Sequence, residues 1–302
     1  MTSEAAQDAA RRQHYADLYD PSPHDGPTGV LLGNCQAESL RQALSGSDVR
    51  LLRVPPVHEL EASDLPHLER LLAGVDVVVA QPIRDDYRGM PLGTRQLLDA
   101  VRVGARSAIV PVIRFAGLHP WQAIVRPPHD PSAAPPIVPY HDLRTLAEAA
   151  GADASAPASP AALREVGQAS LDQLRWREER FGTVPISDAL ARPTFDHMRT
   201  INHPGNPVWH ALAARVHEVL RLGGAPAPLP RPLLDRVHAP RAAQVIDALG
   251  LDAEPREHWI VDGERVDDGD VRAAHLAWYR EHPDVVVAGT RRHADAMAVL
   301  GL

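Results

Sequence analysis

The sequence predicts an α/β fold in which a parallel sheet is flanked by helices, with extensive helical additions in the C-terminal half. Strand-like apolar runs alternate with helix-like segments over about the first 115 residues, the order typical of parallel sheets. The clearest run, residues 75–80 (VDVVVA), is short and β-branched, as a buried strand requires. Beyond residue 160, long segments with helical spacing dominate.

The predicted elements of the first half follow one another in regular order. Periodicity predicts strands over 28–33, 48–54, 75–80 and 107–115, and helices over 36–45, 64–73 and 94–103. Thr94 is a candidate N-cap for the last of these helices.

The second half contains two breaks and several further helices. Pro/Ala/Ser-rich composition predicts an ordered excursion at 126–139, a flexible loop at 151–161 and a linker at 223–232. Helices are expected over 161–181, 207–222, 240–249, 268–282 and 290–300, with a hairpin around Asp262-Gly263. We therefore predict an N-terminal extension (1–25), an α/β core that carries the site (26–222) and a mainly helical C-terminal appendage packed on the core (223–302).

Composition excludes several mechanisms. All 31 basic side chains are arginines, so Schiff-base lysines and phosphate loops of the GKS/GKT kind are ruled out. The single cysteine, Cys35, rules out intramolecular disulfides, zinc ribbons and CxxC redox pairs. The formal net charge of −8 argues against a nucleic-acid partner. No metal-binding motif has specific spacing, so no metal is expected.

The chain also carries no recognisable targeting or membrane signal. Its N-terminal segment is polar, and its longest apolar runs are too short to span a bilayer. An unpaired thiol is typical of a reducing compartment. We expect a cytoplasmic protein with no membrane partner, and the sequence is compatible with a homo-oligomer.

The most specific local feature is Gly33-Asn34-Cys35-Gln36, where the first strand should end and a helix begin. In open parallel sheets ligands bind at this edge. A thiol at a helix N-terminus faces unpaired N–H groups and the positive dipole end, both of which favour the thiolate. Those N–H groups and the Asn34 amide could stabilise an oxyanion. Alternatively, Cys35 is a small buried apolar residue.

Two histidines stand out as candidate bases among sixteen. His203 lies in a polar loop, TINHPGNP, just before a predicted helix. His119 follows the fourth predicted strand and therefore falls at the ligand-binding edge. For each, the alternative is a ring nitrogen that caps a turn. That alternative is favoured for His119 and evenly balanced for His203.

Residues 81–89 (QPIRDDYRG) follow the buried strand and should lie at the same edge. Arg84 and Arg88 could bind phosphate or carboxylate groups bidentately. Asp85 or Asp86 could orient a histidine. The alternative is a solvated loop with arginine–aspartate pairs that contribute little to stability.

These three motifs, in this order, resemble the WcbI family of acetyltransferase-like enzymes of capsular polysaccharide biosynthesis. The resemblance covers roughly residues 26–222 and extends to features of SGNH hydrolases, with cysteine in place of serine. It implies an α/β core, coenzyme A binding and acyl transfer to a sugar hydroxyl. Hydrolases of the SGNH type carry an Asp-x-x-His sequence that is missing here, since the nearest acid before His203 is Asp196.

We therefore predict an acyltransferase that moves an acyl group, such as acetyl, from a coenzyme A thioester to a hydroxyl of a sugar or secondary metabolite. Catalysis is assigned to Cys35, His203, Asn34 and Asp85. Substrate or cofactor contacts are assigned to Gly33, Gln36, Gln81, Arg84, Asp86, Tyr87, Arg88, His119 and Asn202. No tightly bound cofactor is expected. An ester or thioester hydrolase with the same site, and a non-catalytic coenzyme A-binding pathway protein, remain as alternatives.

Overall fold

The computed structural model describes residues 3–127, 129–130 and 133–302. Its α-helices are α1 (Ser3–His14), α2 (Ala16–Tyr19), α3 (Cys35–Ala43), α4 (Leu65–Leu72), α5 (Thr94–Asp99), α6 (Leu143–Ala149), α7 (Pro160–Phe181), α8 (Asn206–Val219), α9 (Ala243–Leu249), α10 (Asp268–Glu281), α11 (Pro283–Arg292) and α12 (Ala294–Leu300). Its strands are β1 (Thr28–Leu32), β2 (Arg50–Leu52), β3 (Val77–Ala80), β4 (Arg106–Ile109), β5 (Gln122–Ala123), β6 (His141–Asp142), β7 (Met198–Thr200), β8 (His203–Pro204), β9 (Val237–His238), β10 (His258–Val261) and β11 (Glu264–Asp267).

The described chain divides into two compact units that are interleaved along the sequence. Unit 1 contains the residues up to Val112, with Trp176–Ile186 and Pro207–Arg231. Unit 2 contains Ile113–Arg175, Ser187–Asn206 and Pro232–Leu302. The predicted division at residues 25 and 222 stays a prediction.

Unit 1 is built on a parallel sheet in the order β2-β1-β3-β4. Strand β1 pairs with β3 so that Leu32 lies opposite Ala80, and β3 pairs with β4 so that Ala80 lies opposite Ile109. The strands therefore end at one common edge. The predicted α/β class with a parallel sheet flanked by helices is confirmed.

Burial explains why these residues form this sheet. All four residues of β3 are buried, which is typical of a parallel strand covered on both faces. In α4, Leu68, Leu71 and Leu72 share the buried face, and Pro66 occupies the first turn, where its missing N–H costs nothing. Leu18 of the N-terminal segment is fully buried in the same core.

Several predicted boundaries were wrong. Strand β4 ends at Ile109 rather than 115, because Pro111 has no N–H with which to continue the ladder. Helix α5 ends at Asp99 rather than 103. Its N-cap is Gly93, not Thr94, because the Thr94 hydroxyl instead accepts from the Ile83 N–H.

The segment predicted as a linker, 223–232, is partly anchored on unit 1. The Asp48 N–H donates to the Gly223 carbonyl, and the Ala227 N–H donates to the Ser45 carbonyl. The excursion predicted at 126–139 includes residues 128, 131 and 132, which lie outside the described residues.

Unit 2 combines helices with small antiparallel sheets: β9-β10-β11, β5-β6 and β7-β8. The predicted hairpin is confirmed, since β10 and β11 are joined by Asp262 and Gly263, which have φ of 49° and 86°. Two successive positive φ values match the twist of a tight hairpin. The helix predicted over 290–300 is instead α11 followed by α12, with a break at His293.

Within the part of unit 2 that the structure describes, two apolar clusters contribute to the core. One packs α6, α9 and α10 to α12 around residues such as Leu146 and Val285, and the other surrounds Trp259. Across residues 3–127, 129–130 and 133–302, no helix is both long and apolar enough to cross a membrane.

Candidate active site

Cys35 is the first residue of α3, directly after the turn that follows β1. The preceding Asn34 is the N-cap, and its Oδ1 accepts a hydrogen bond of 2.9 Å from the Gln36 N–H. This is the standard way to satisfy an orphan donor at a helix start. The predicted position of Cys35 at a strand-to-helix turn is therefore confirmed.

Gln81 holds this turn from the neighbouring strand. It directly follows β3, is 3% exposed, and its Oε1 accepts a hydrogen bond of 2.9 Å from the Asn34 N–H. Its Nε2 lies 3.4 Å from Oε1 of Gln36. A Cβ on Gly33 would lie 2.3 Å from Oε1 of Gln81, so any larger residue at that position must displace the Gln81 side chain.

Two opposing effects determine the protonation of the Cys35 thiol. Burial raises the pKa of Cys35 above its ordinary value, whereas the N–H groups of Cys35 and Gln36 lower it and the charge on Glu59 raises it slightly. Burial outweighs the helix N-terminus. The N–H groups at the helix start do favour the thiolate, as the sequence predicts, but they do not offset burial, and the resting side chain is a neutral thiol.

The N-cap also fixes the orientation of the Asn34 amide. Because Oδ1 is occupied by the Gln36 N–H, Nδ2 must face away from that N–H. Within the described ranges, Nδ2 has no hydrogen-bond partner. Asn34 is only half-buried, so its two amide donors remain available to an oxygen atom close to Cys35.

The acids predicted at the same edge are bound to α5. Asp85 accepts a hydrogen bond of 2.7 Å from Arg95, and Asp86 accepts one of 2.7 Å from Gln96. Asp85 belongs to unit 1 and His203 to unit 2. The assignment of Asp85 as the group that orients His203 stays a prediction.

The two predicted arginines differ in their surroundings. Arg88 donates to the carbonyl of His58. Arg84 is exposed and makes no hydrogen bond or ion pair with other described residues. Tyr87 is half-buried and packs against the apolar core of unit 1. Asp86 and Arg88 have φ of 52° and 56°, a conformation that non-glycine residues adopt at a cost and that is found preferentially at functional sites.

His203 begins β8 in unit 2 and lies in a network of polar side chains. Its Nε2 is 3.1 Å from the hydroxyl of Tyr140. That hydroxyl donates to Oδ1 of Asn202 at 2.9 Å and accepts from Thr200 at 3.0 Å. The structure therefore brings His203 and Asn202 together, as their adjacency in sequence implies.

This network determines where the His203 ring holds its proton. Since Tyr140 has one hydroxyl proton and donates it to Asn202, Nε2 of His203 must be the donor in the bond to Tyr140. A neutral ring then leaves Nδ1 as an unprotonated acceptor. Nδ1 is buried and has no partner within the described structure. The tautomer is inferred from these hydrogen bonds.

Burial lowers the pKa of His203 to about 4, and the charges of Arg199 and His238 add to the effect. The ring is therefore neutral at neutral pH. Within the described ranges, no carboxylate hydrogen-bonds to it. Sequence reasoning missed Tyr140, which contacts the ring, because it belongs to none of the three motifs. Thr200 lies in the TINHPGNP segment, but no role was predicted for it.

His119 has the surroundings of a structural histidine. It is 5% exposed, and its Nε2 lies 3.3 Å from the carbonyl of Met198. Burial lowers its pKa to about 4. The sequence alternative for this residue, a ring nitrogen that caps the backbone, matches this geometry. Its assignment to substrate binding stays a prediction.

Fold and site together define an α/β protein whose parallel sheet presents a single cysteine at the edge where its strands end. Residues 28–225 match the family model described as polysaccharide biosynthesis enzyme WcbI. The chain belongs to this family. No curated protein matches the sequence.

A solved structure of similar fold comes from a protein described as WcbI, a novel polysaccharide biosynthesis enzyme. The two chains share 18% identity with a TM-score of 0.73, over 91% of this chain and 98% of the other. That structure is described as the native protein without a disulfide bond between coenzyme A and a cysteine. At this identity, the likeness establishes the fold.

Proposed function

We propose that the protein is an acyltransferase that moves an acyl group, such as acetyl, from a coenzyme A thioester to a hydroxyl group. The observation that carries this proposal is the placement of Cys35, the only cysteine in the chain, at the N-terminus of α3 beside the Asn34 amide. The related structure is described in terms of coenzyme A and a cysteine, which supports a coenzyme A thioester as the donor.

In the first step, Sγ of Cys35 attacks the thioester carbonyl carbon. A new S–C bond forms, the bond from the acyl carbon to the coenzyme A sulfur breaks, and the proton of Cys35 passes by way of His203 to the departing sulfur. The exchange of one thioester for another is close to thermoneutral. The Nδ2 donors of Asn34 would stabilise the oxyanion that forms on the carbonyl oxygen.

In the second step, the acceptor hydroxyl oxygen attacks the acyl carbon. A C–O bond forms, the bond from the acyl carbon to Sγ of Cys35 breaks, and the hydroxyl proton moves to Sγ. We assign His203 as the base, because the lone pair on Nδ1 is free to accept a proton. A neutral thiol and a neutral imidazole require proton transfer during the reaction rather than a preformed ion pair. Water must be excluded, since it would intercept the acyl-enzyme.

Arg84 is the best candidate for the donor phosphates in unit 1. Its guanidinium is exposed and makes no ion pair with the described residues, so phosphate binding would break no existing contact. Arg88 is a weaker candidate, since it already donates to a backbone carbonyl.

Intact-mass measurement after incubation with acetyl-CoA tests the proposal. We expect one acetyl adduct on the wild-type chain and none on Cys35→Ser, which has no other thiol that could be labelled. We expect His203→Gln to form the adduct more slowly. Adducts of equal amount on Cys35→Ser would overturn the assignment of the nucleophile.

A second measurement separates transfer from hydrolysis. Release of free coenzyme A is followed with and without a hydroxyl acceptor. Transfer predicts faster release when the acceptor is present and acyl product of matching amount. Equal release under both conditions would identify a hydrolase, and binding of acetyl-CoA without adduct or release would identify a non-catalytic binding protein.

A further inference from the structure

Unit 2 contains a cavity whose lining includes none of the residues assigned above to the donor. Its volume is about 500 Å³, within the range of about 300–1,000 Å³ typical of small-molecule sites. The walls come from α6, the loop that follows it, β10 and the start of α10. It therefore has room for a ligand larger than an acyl group.

The charge of the lining is unbalanced. Four carboxylates and two guanidinium groups line the cavity: Asp142, Glu148, Asp153, Asp268, Arg144 and Arg272. The surplus of two negative charges disfavours phosphate and carboxylate ligands. The pyrophosphate of a coenzyme A thioester is therefore a poor occupant.

Neither arginine is free to bind an anion. Nε and a terminal nitrogen of Arg144 contact the two oxygens of Asp142 at 3.0 and 2.6 Å. One nitrogen of Arg272 lies 2.6 Å from both oxygens of Glu148. Paired in this way, the four side chains present a rim of hydrogen-bonding groups with no net charge.

The remaining two carboxylates supply acceptors. Asp268 accepts a hydrogen bond of 2.8 Å from the Trp259 indole, and Asp153 accepts one from the Ser155 N–H. Neither makes an ion pair with the other described residues. A carboxylate has about four acceptor positions, so each can still accept from a hydroxyl group.

Aromatic rings complete the cavity and connect it to His203. Tyr140 and Trp259 both line it and are nearly parallel, with an interplanar angle of 14°. The hydroxyl of Tyr140 is also the group that contacts Nε2 of His203. The cavity therefore shares a wall residue with the network that positions the candidate base.

We propose that this cavity binds the acceptor and that the acceptor is an uncharged, hydroxyl-rich glycoside. Carboxylate acceptors and paired arginines suit hydroxyl groups, the aromatic wall suits the apolar face of a sugar ring, and the negative surplus rejects acidic sugars. The role of the bound glycoside as acceptor rests on the proposed acyl transfer. Its binding to the cavity does not depend on the donor.

Saturation-transfer NMR without any coenzyme A thioester tests the site. The probes are methyl glycosides of glucose, galactose, mannose and rhamnose, together with methyl glucuronide. We expect transfer to at least one neutral glycoside and none to the glucuronide. Absence of transfer to all neutral probes, or equal transfer to the glucuronide, would overturn the proposal.

Two pairs of variants locate the binding. Ala152→Trp places a large side chain into the cavity and should abolish transfer, whereas Ala149→Trp, on an exposed helix position outside the lining, should leave it unchanged. Asp153→Asn with Asp268→Asn should admit the glucuronide. The same change at two exposed sites elsewhere in unit 2, Asp247→Asn with Asp270→Asn, should not. Saturation transfer that persists in Ala152→Trp would show that the glycosides bind outside this cavity.

The outcomes separate this inference from the proposed function. Glycoside binding without an acetyl adduct on Cys35 would defeat acyl transfer but leave the site intact. An adduct without glycoside binding would defeat the cavity assignment alone.

Discussion

The hydroxyl of Tyr140 lies 3.1 Å from Nε2 of His203, and this contact determines what the histidine can do. Because Tyr140 donates its own proton to Asn202, Nε2 must carry the ring proton and Nδ1 must be the acceptor. The basic nitrogen is thus the one that has no partner within the described structure. Tyr140 is therefore a positioning residue for the proposed base.

The first prediction concerns Tyr140→Phe, which removes the hydroxyl that holds the His203 ring. Loss of one hydrogen bond of this kind costs about 0.5–1.5 kcal/mol. We expect a decrease in kcat of about tenfold, the equivalent of about 1.4 kcal/mol, with little change in the KM for the thioester. In ¹⁵N NMR spectra, we expect His203 of the wild-type protein to show the Nε2–H tautomer at neutral pH.

The control for this prediction is Tyr15→Phe, which removes a tyrosine hydroxyl from unit 1. We expect it to leave the His203 signals and kcat unchanged. A wild-type spectrum of the Nδ1–H tautomer would contradict the inferred network.

The second prediction concerns acid stability. The pKa of His203 is about 4 in the folded protein and about 6.5 in the unfolded chain. Between these values the unfolded chain binds more protons, so the free energy of unfolding rises with pH. The contribution is fully present above about pH 6.5, and about 3 kcal/mol of it is lost as the pH falls through about 4.

Urea unfolding of His203→Gln and wild type at several pH values checks this. Between the two pKa values, the slope of the free energy of unfolding against pH should be smaller for the variant than for the wild type, by the equivalent of about one proton. His24→Gln, at an exposed position, serves as the control and should follow the wild type. Parallel wild-type and His203→Gln curves would mean that the ring titrates normally.

The third prediction concerns the reactivity of Cys35. Burial raises the pKa of its thiol above the ordinary value of 9.0. The rate of alkylation by iodoacetamide should therefore rise with pH and reach half its maximum above that value, because only the thiolate reacts. The same chain unfolded in urea should titrate at the ordinary value. A lower midpoint in the folded protein would indicate a preformed thiolate.

Glu59 offers a finer test of the same point. Its negative charge contributes to the raised pKa of Cys35. Replacement by Gln should lower the alkylation midpoint slightly, while Glu69→Gln, an exposed change on α4, should have no effect. A midpoint unchanged by Glu59→Gln would show that the charge on Glu59 does not raise the pKa of Cys35.

The sequence was most informative where structure is local. Alternation of apolar runs predicted the order of β1 to β4, and the helical spacing of 36–45 after a Gly-Asn turn placed Cys35 where a helix begins, because both signals depend on neighbouring residues. The protonation of Cys35 was not predictable, since it depends on burial by distant segments. The contact of Tyr140 with His203 joins residues 63 apart, which no spacing rule could have found.

The fourth prediction concerns Gly33 and its contact with Gln81. A methyl group on Gly33 would lie 2.3 Å from Oε1 of Gln81, so Gly33→Ala must displace that side chain. The displaced amide can no longer accept from the Asn34 N–H. We expect a loss of about 1–3 kcal/mol in the free energy of unfolding and little acetyl adduct on Cys35.

The matched control is Gly74→Ala, where the nearest atom would lie 3.6 Å from the new methyl group. It should change stability by less than about 0.5 kcal/mol. A double-mutant cycle isolates the contact: Gln81→Ala removes the obstructing oxygen, so the double variant Gly33→Ala/Gln81→Ala should lose less stability than the two single variants added together. Strict additivity in urea unfolding would show that the cost of Gly33→Ala arises from the backbone of the turn and not from its contact with Gln81.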